Sequence, residues 1–317
     1  MAAFDSSKGG PAVGPGRGAF GSAGSRRDGV PGRIRWAPYA FLGPQMVLVG
    51  LFALYPFVYN FVLSLEEFGL AGSEFVGFAN YRRVFSDPVF WTAFRNTVYY
   101  TALTVPVTTG LALLAAVALN QKIRGRVLFR TIFLFPNLVS WVVIGLVWQW
   151  MYSVNYGVLN QILRALGFSG LRWLQDPGLT IPSIAVASIW HDLGYYMVVF
   201  LAGLQSISPV YYEAAQIDGA GGWSQFREIT VPLLRPILFM VLVLCMVNSF
   251  RVFDQIYVMT GGGPGRASLM LVNYIISIAI EEMRMGYAST VSVILFLVTF
   301  TLTVVQRRLF RDRRVEG

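Results

Sequence analysis

The chain has 317 residues, 55% of them hydrophobic and only 13% charged, with a formal net charge of +9. A soluble domain of this length needs far more polar surface, so the composition excludes the ordinary soluble classes and points to a membrane protein. The basic residues are clustered rather than spread, in a pattern that reads as membrane topology and not as nucleic-acid binding.

Residues 1–35 are rich in Gly, Ser and Pro, with scattered Lys8, Arg17, Arg26, Arg27, Arg33 and Arg35, which predicts a disordered tail. The apolar run 39–65 is too long for a signal peptide and no small-residue cleavage site follows it, so it reads as an uncleaved first span. Five more apolar stretches follow at 97–120, 131–152, 181–204, 236–253 and 286–305. A bilayer core takes about 20 apolar residues as a helix, so each is near spanning length. The runs are continuous rather than alternating, which favours helices over a β-barrel. The expected fold class is an all-α membrane protein with six transmembrane helices.

The segments between the spans carry their own signals. Phe75, Phe78, Tyr81, Phe85, Phe90, Trp91 and Phe94 suit a first loop lying at the membrane interface. Leu159, Ile162, Leu163 and Leu166 have helical spacing, and Gly167 reads as the stop of that short helix. Gly261-Gly262-Gly263-Pro264 predicts a tight, non-helical turn. Between the fourth and fifth spans, 211–234 predicts a helix over 210–217, a Gly/Ala break, and a second helix over 223–229 ended by Pro232.

Six spans place the N-terminal tail, the basic loop 122–130, the loop 211–234 and the tail bearing Arg307, Arg308, Arg311, Arg313 and Arg314 on one side. The positive-inside rule makes that side cytoplasmic, with both termini on it. The opposite side opens with the acidic residues Glu66, Glu67, Glu74 and Asp87. The expected organisation is a cytoplasmic tail over 1–35, a transmembrane domain over 36–308 and a basic cytoplasmic tail over 309–317.

Catalytic chemistry is poorly provided for. A phosphate-binding loop needs a lysine after a glycine, and the only lysines, Lys8 and Lys122, do not follow one. One histidine and one cysteine, Cys245, make a metal cage or a disulfide framework unexpected. No nucleophile–base arrangement stands out, so no catalytic residue is assigned. What does stand out is polarity inside the spans, which is costly and marks a pathway. The fourth span holds Ser188, Trp190, His191, Asp192, Tyr195 and Tyr196, and the fifth holds Asn248, Ser249, Arg251 and the nearby Asp254. Helical spacing puts Ser188, Asp192 and Tyr195 on one face, and Asn248, Arg251 and Gln255 on another. Amides, carboxylates, hydroxyls and aromatic rings are the chemistry that binds sugars. The alternative is structural: an Asp192–Arg251 ion pair, with the aromatics as packing.

The loop 211–234 carries Glu213-Ala214-Ala215, then Asp218, Gly219 and Ala220, then Ile229 and Pro232. It resembles the EAA loop of ABC-importer permeases, with Val231 where that family usually has Leu. Phe75, Gly77, Asn80 and Tyr81, the turn from Thr260 to Pro264, and Arg284-Met285-Gly286-Tyr287-Ala288 are similar to segments of carbohydrate-importer permeases of the maltose and glycerol-phosphate type. The resemblance implies the type I ABC importer permease fold in a bacterial plasma membrane, with the EAA loop over 205–235 as a cytoplasmic coupling helix. It implies Glu213, Ala214, Ala215, Asp218, Gly219, Ala220, Ile229 and Pro232 as contacts to an ATPase. It also implies sugar contacts near Ser188, Trp190, Asp192, Tyr195, Asn248, Ser249 and Arg251, with Asp192 standing where a glycine is common. The implied partners are a second permease, two ATPase subunits that bind ATP and Mg, an external solute-binding protein, and a sugar. No cofactor is expected in this chain, and no nucleic acid. Permeases for polyamines, glycerol phosphate or anions share the loop, and an ion-coupled carrier using Asp192 is a further alternative.

Overall fold

The computed structural model describes residues 37–69, 72–121 and 124–310. The tail basic residues Lys8, Arg17, Arg26, Arg27, Arg33, Arg35, Arg311, Arg313 and Arg314, and also Lys122, lie outside them, as does the expected disordered tail. The chain divides into two units after Ala53. In the first, α1 (Ala37–Val49) passes into a π-helical turn over Gly50–Leu54. By length and hydropathy the helical run Tyr39–Leu63 qualifies as a membrane span.

The second unit starts with α2 (Tyr55–Leu63). A small antiparallel hairpin follows in the first loop, β1 (Glu66–Gly69) with β2 (Gly72–Phe75), which the sequence reading did not include. Its register sets Glu67 opposite Glu74, and Arg83 Nη1 bridges to Glu67 Oε1 at 2.5 Å, offsetting the like charges. The turn of Gly77, at φ +59°, then leads into α3 (Ala79–Phe85).

Helix α4 (Pro88–Asn120) is opened by Asp87, whose Oδ1 accepts from the Val89 amide at 2.8 Å, with Pro88 preset for the first turn. Its 33 residues give about 50 Å of helix at ~1.5 Å per residue. The third apolar stretch is not one straight helix. Helix α5 (Arg126–Leu134) runs into a 3-10 turn over Phe135–Leu138, and α6 (Trp141–Met151) leaves at 98°. Pro136 has no amide to donate, Val139 is extended, and Ser140 Oγ caps the new helix by accepting from Val142 N at 3.3 Å.

The expected short helix is α7 (Val158–Ala165), and Gly167 follows it at φ +84°. Buried Asn160 ties the loop beyond it: its Nδ2 donates to Leu171 O at 2.9 Å, and its Oδ1 accepts from Leu171 N at 2.9 Å and Trp173 Nε1 at 3.0 Å. Asp176 then caps α8 (Pro177–Gln205). Helices α4 and α8 form the centre of the unit. Val105, Ala112, Ala116 and Leu119 pack against Tyr196, Met197, Phe200, Leu201 and Leu204. Small residues let backbones approach closely, and Gly194 shows it: a Cβ there would sit 1.9 Å from the Phe133 carbonyl oxygen of α5.

After α8 come α9 (Pro209–Ile217), α10 (Gly222–Gln225), a π turn over Phe226–Thr230 and α11 (Val231–Leu233). The helical path therefore continues through Pro232 instead of ending at it, then bends by 68° into α12 (Arg235–Phe250). Helix α13 (Asp254–Met259) precedes the glycine turn, where Gly261 and Gly262 take φ +60° and +90° as the sequence predicts. Helix α14 (Leu271–Ile276), a π turn over Ser277–Glu281, and α15 (Met285–Phe310) complete the described chain. Among the described residues, four helices are long and apolar enough to cross a membrane, or up to six if each bent pair is one span.

The segments at one end are pinned to the helices by a few polar groups. Asp87 Oδ2 accepts from the hydroxyls of Tyr274 and Tyr287, the latter at 2.8 Å. Asn80 Nδ2 donates to Glu66 O at 2.9 Å, and Thr290 Oγ1 to Ser64 O at 3.0 Å. Gly286 is obligatory at this seam, because a Cβ would lie 1.8 Å from Glu66 O.

Candidate functional site: a polar cavity and an exposed loop

The structure brings polar residues of four segments to one cavity of about 390 Å³, within the ~300–1,000 Å³ usual for ligand sites. Helix α4 contributes Tyr100, Thr104 and Thr108; the corner between α5 and α6 contributes Asn137 and Trp141. Helix α8 adds Ser188, His191 and Asp192. Helix α12, the turn after it and the start of α13 add Cys245, Asn248, Ser249 and the run from Arg251 to Gln255.

Much of this wall is internally bonded. Thr104 Oγ1 and Ser249 Oγ are 3.1 Å apart, Asn248 Nδ2 donates to the Tyr196 hydroxyl at 3.1 Å, and Gln255 Nε2 donates to the Tyr100 hydroxyl at 3.3 Å. Ser188 Oγ donates to Ile184 O in its own helix at 3.0 Å. His191 is the hub of the corner. Its Nδ1 lies 2.6 Å from Asp192 Oδ1, its Nε2 lies 3.3 Å from the Val139 carbonyl oxygen, and its ring packs on Trp141 with centroids 4.0 Å apart. A break in a spanning helix frees backbone carbonyls that need partners, and His191 supplies one. Asp192 thus pairs with His191 and not, among the described residues, with Arg251.

Of the seven residues expected near a sugar, Ser188, Asp192, Asn248, Ser249 and Arg251 line this cavity. Trp190 and Tyr195 do not. Trp190 is 46% exposed and meets Trp148 edge-on, and Tyr195 is 41% exposed against Tyr196. The inward stripe of α8 runs through Ser188, Asp192 and Tyr196 in steps of four, with His191 beside it, and Tyr195 falls just off its edge. Sequence reasoning missed Tyr100, Thr104, Thr108, Asn137 and Trp141. The threonines at 97, 101, 104 and 108 repeat at helical spacing and were a legible signal. The corner residues were not, because nothing local announces a bend of 98°.

The second site is the loop after α8. Ser208 Oγ caps α9, and the helix closes through amides of Asp218, Gly219 and Ala220, with Gly219 at φ +79°. Tyr212 OH and Thr230 Oγ1, 3.0 Å apart, hold its two halves together. Glu213, Ala214, Asp218 and Gly219 are exposed, and Ala215, Ala220, Ile229 and Pro232 are half-buried. Two large apolar side chains stand out on the same loop, Ile217 at 87% and Trp223 at 74% exposed.

Residues 108–315 match the family described as the binding-protein-dependent transport system inner membrane component. The chain belongs to that family. It is a membrane-embedded transport permease. It is 36% identical over 279 residues to the sulfoquinovosyl glycerol transport system permease protein SmoG of Agrobacterium fabrum, covering 86% of this chain and 89% of that one. It is 36% identical over 282 residues to the trehalose/maltose transport system permease protein MalF of Thermococcus litoralis, covering 87% and 94%. A crystal structure of a bacterial ABC transporter for the acidic polysaccharide alginate superposes with a TM-score of 0.78 at 24% identity, over 89% of this chain and 96% of that one, which establishes the shared fold.

Proposed function

We propose that the chain is one transmembrane subunit of an ATP-driven importer for a sugar or sugar derivative. An external solute-binding protein delivers the ligand, a second permease completes the pathway, and two ATPase subunits holding ATP and Mg do the hydrolysis. The chain itself performs no catalysis and holds no cofactor. The observation that carries this reading is the exposed α9–α11 loop, with Ile217 and Trp223 unburied beside Glu213 and Asp218 on a rigid helical frame. Exposed apolar groups rimmed by charge mark a protein interface, and a short helix laid in a groove is a common way to fill one. The loop then lies on the cytoplasmic side with both termini, and Glu213, Ala214, Ala215, Asp218, Gly219, Ala220, Ile229 and Pro232 form its ATPase-facing surface. The cavity at Ser188, Asp192, Asn248, Ser249 and Arg251 is the ligand pathway, and ATP bound by the partner ATPases biases, through their contact with the loop, which way it opens.

The test is to purify the complex through this chain from gently solubilised membranes and reconstitute it with its binding protein. ATPase activity that co-purifies and rises with a sugar ligand is the expected result. Absence of any co-purifying ATPase overturns the reading in favour of an ion-coupled carrier.

A further inference from the structure

Membership of the family leaves the charge of the cargo open, since relatives are named for both neutral and anionic sugars. The cavity wall bears on it. Its charged side chains are Asp192, Asp254 and Arg251, with His191 as the only other titratable base, among the described residues. Two carboxylates face one guanidinium. If the imidazole carries one proton the cavity's charge is negative, and if it carries two the cavity is neutral; in neither case is it positive. Arg251 is also shared, since it borders the groove between α12 and α15 with Phe296 and Phe300.

The hydrogen-bond directions point the same way. His191 turns its two nitrogens to Asp192 and to the Val139 carbonyl rather than leaving them to a ligand. Asn248 and Gln255 each turn an amide N–H to a tyrosine hydroxyl, and Ser188 gives its proton to its own helix. Arg251, Asn137 and the Trp141 indole keep donors on the wall, and the Asp192 carboxylate, whose side chain is 31% exposed, keeps acceptor oxygens on it. Ligand hydroxyls can donate to such oxygens. A phosphate, sulfonate or carboxylate can only accept, and in a low-dielectric site it needs a surplus of cations, whereas this wall sets one guanidinium against two carboxylates.

We propose, resting on the importer reading, that the cargo is an uncharged, hydroxyl-rich carbohydrate, and that this cavity discriminates against anionic sugars, with Asp192 as the determinant. The experiment compares the whole reconstituted complex with its Asp192→Asn and Asp192→Arg variants, the binding protein being the same throughout. Ligand-stimulated ATPase activity and uptake are read with maltose, lactose and an arabinooligosaccharide against glycerol 3-phosphate, a glucuronate disaccharide and sulfoquinovosyl glycerol. The wild-type complex should respond at least tenfold more strongly to a neutral member than to any anionic one. Both variants should lose at least fivefold in the response to the neutral ligand, and Asp192→Arg should narrow the gap to the anions. An anion that drives the wild type as well as its best neutral rival, or variants that leave the ranking and strength unchanged, overturns the inference while leaving the importer intact. Failure of every sugar to stimulate the complex overturns the importer reading itself, and this inference with it.

Discussion

Asp87 is a single carboxylate that joins three elements: it caps α4 through the Val89 amide and accepts hydroxyls from Tyr274 of α14 and Tyr287 of α15. Burial works to raise its pKa, but the two tyrosine hydroxyls and the amides of Val89 and Phe90 outweigh it and hold the carboxyl below its ordinary 3.8. A carboxyl with a lowered folded-state pKa gives stability that is complete above the ordinary value and is lost as pH falls through the folded-state value. Asp87→Ala should therefore cost about 0.5–2 kcal/mol through the cap alone and more through two orphaned hydroxyls. Melting curves of the detergent-solubilised protein from pH 7 to pH 2 check this: the gap between wild type and variant should be constant at neutral pH and close in acid. A gap that persists unchanged at pH 2 would contradict the account. In the sequence Asp87 reads only as one acid of an outer loop. Its partners lie 187 and 200 residues away, so no local pattern exposes them.

At the scale of elements, close approaches and loop shape decide the outcome. Gly194 has the Phe133 carbonyl where a Cβ would be, and backbone cannot move aside as a side chain can. Gly194→Ala should lower the melting temperature and the yield of inserted protein by the ~1–3 kcal/mol typical of overpacking or more. Gly203→Ala meets only the Ile237 and Leu234 side chains and should be milder in the same assay. In the α9–α11 loop, Gly219 at φ +79° cannot be proline, whose φ is fixed near −65°. Gly219→Pro and Glu213→Lys should abolish ligand-driven transport while the subunit still inserts, and normal uptake in either would sink the coupling role. The two helical halves of this loop, the short α7 with its Gly167 stop, and the glycine turn were all legible, because Gly, Ala and apolar spacing act locally. The hairpin at 66–75 and the corner after Leu138 were not, since each forms by packing on distant helices.

For the whole molecule, the distribution of charge predicts orientation. Arg124, Arg126, Arg227, Arg235, Arg307 and Arg308 lie at or near the ends of helices on the side that carries the α9–α11 loop in the six-span reading. A cysteine placed at Asp218 should react with a membrane-impermeant thiol reagent only from the cytoplasm, and one at Gln175 only from outside; the reverse pattern would invert the topology. Native Cys245 is 4% exposed, which keeps the background low. Sequence by itself determined the class of molecule, the number of apolar stretches, the helical loop between the fourth and fifth of them and most of the polar residues in the spans. These follow from hydropathy, charge and residue spacing, which act along the chain. Only the tertiary structure decided that Asp192 pairs with His191 rather than Arg251, that Trp190 and Tyr195 face away from the cavity, and that Tyr100, Asn137 and Trp141 face into it. The reason is physical: which stripe of a helix is buried, and where a helix breaks, depends on the neighbours it packs against, and in an apolar span every face looks alike until those neighbours are in place.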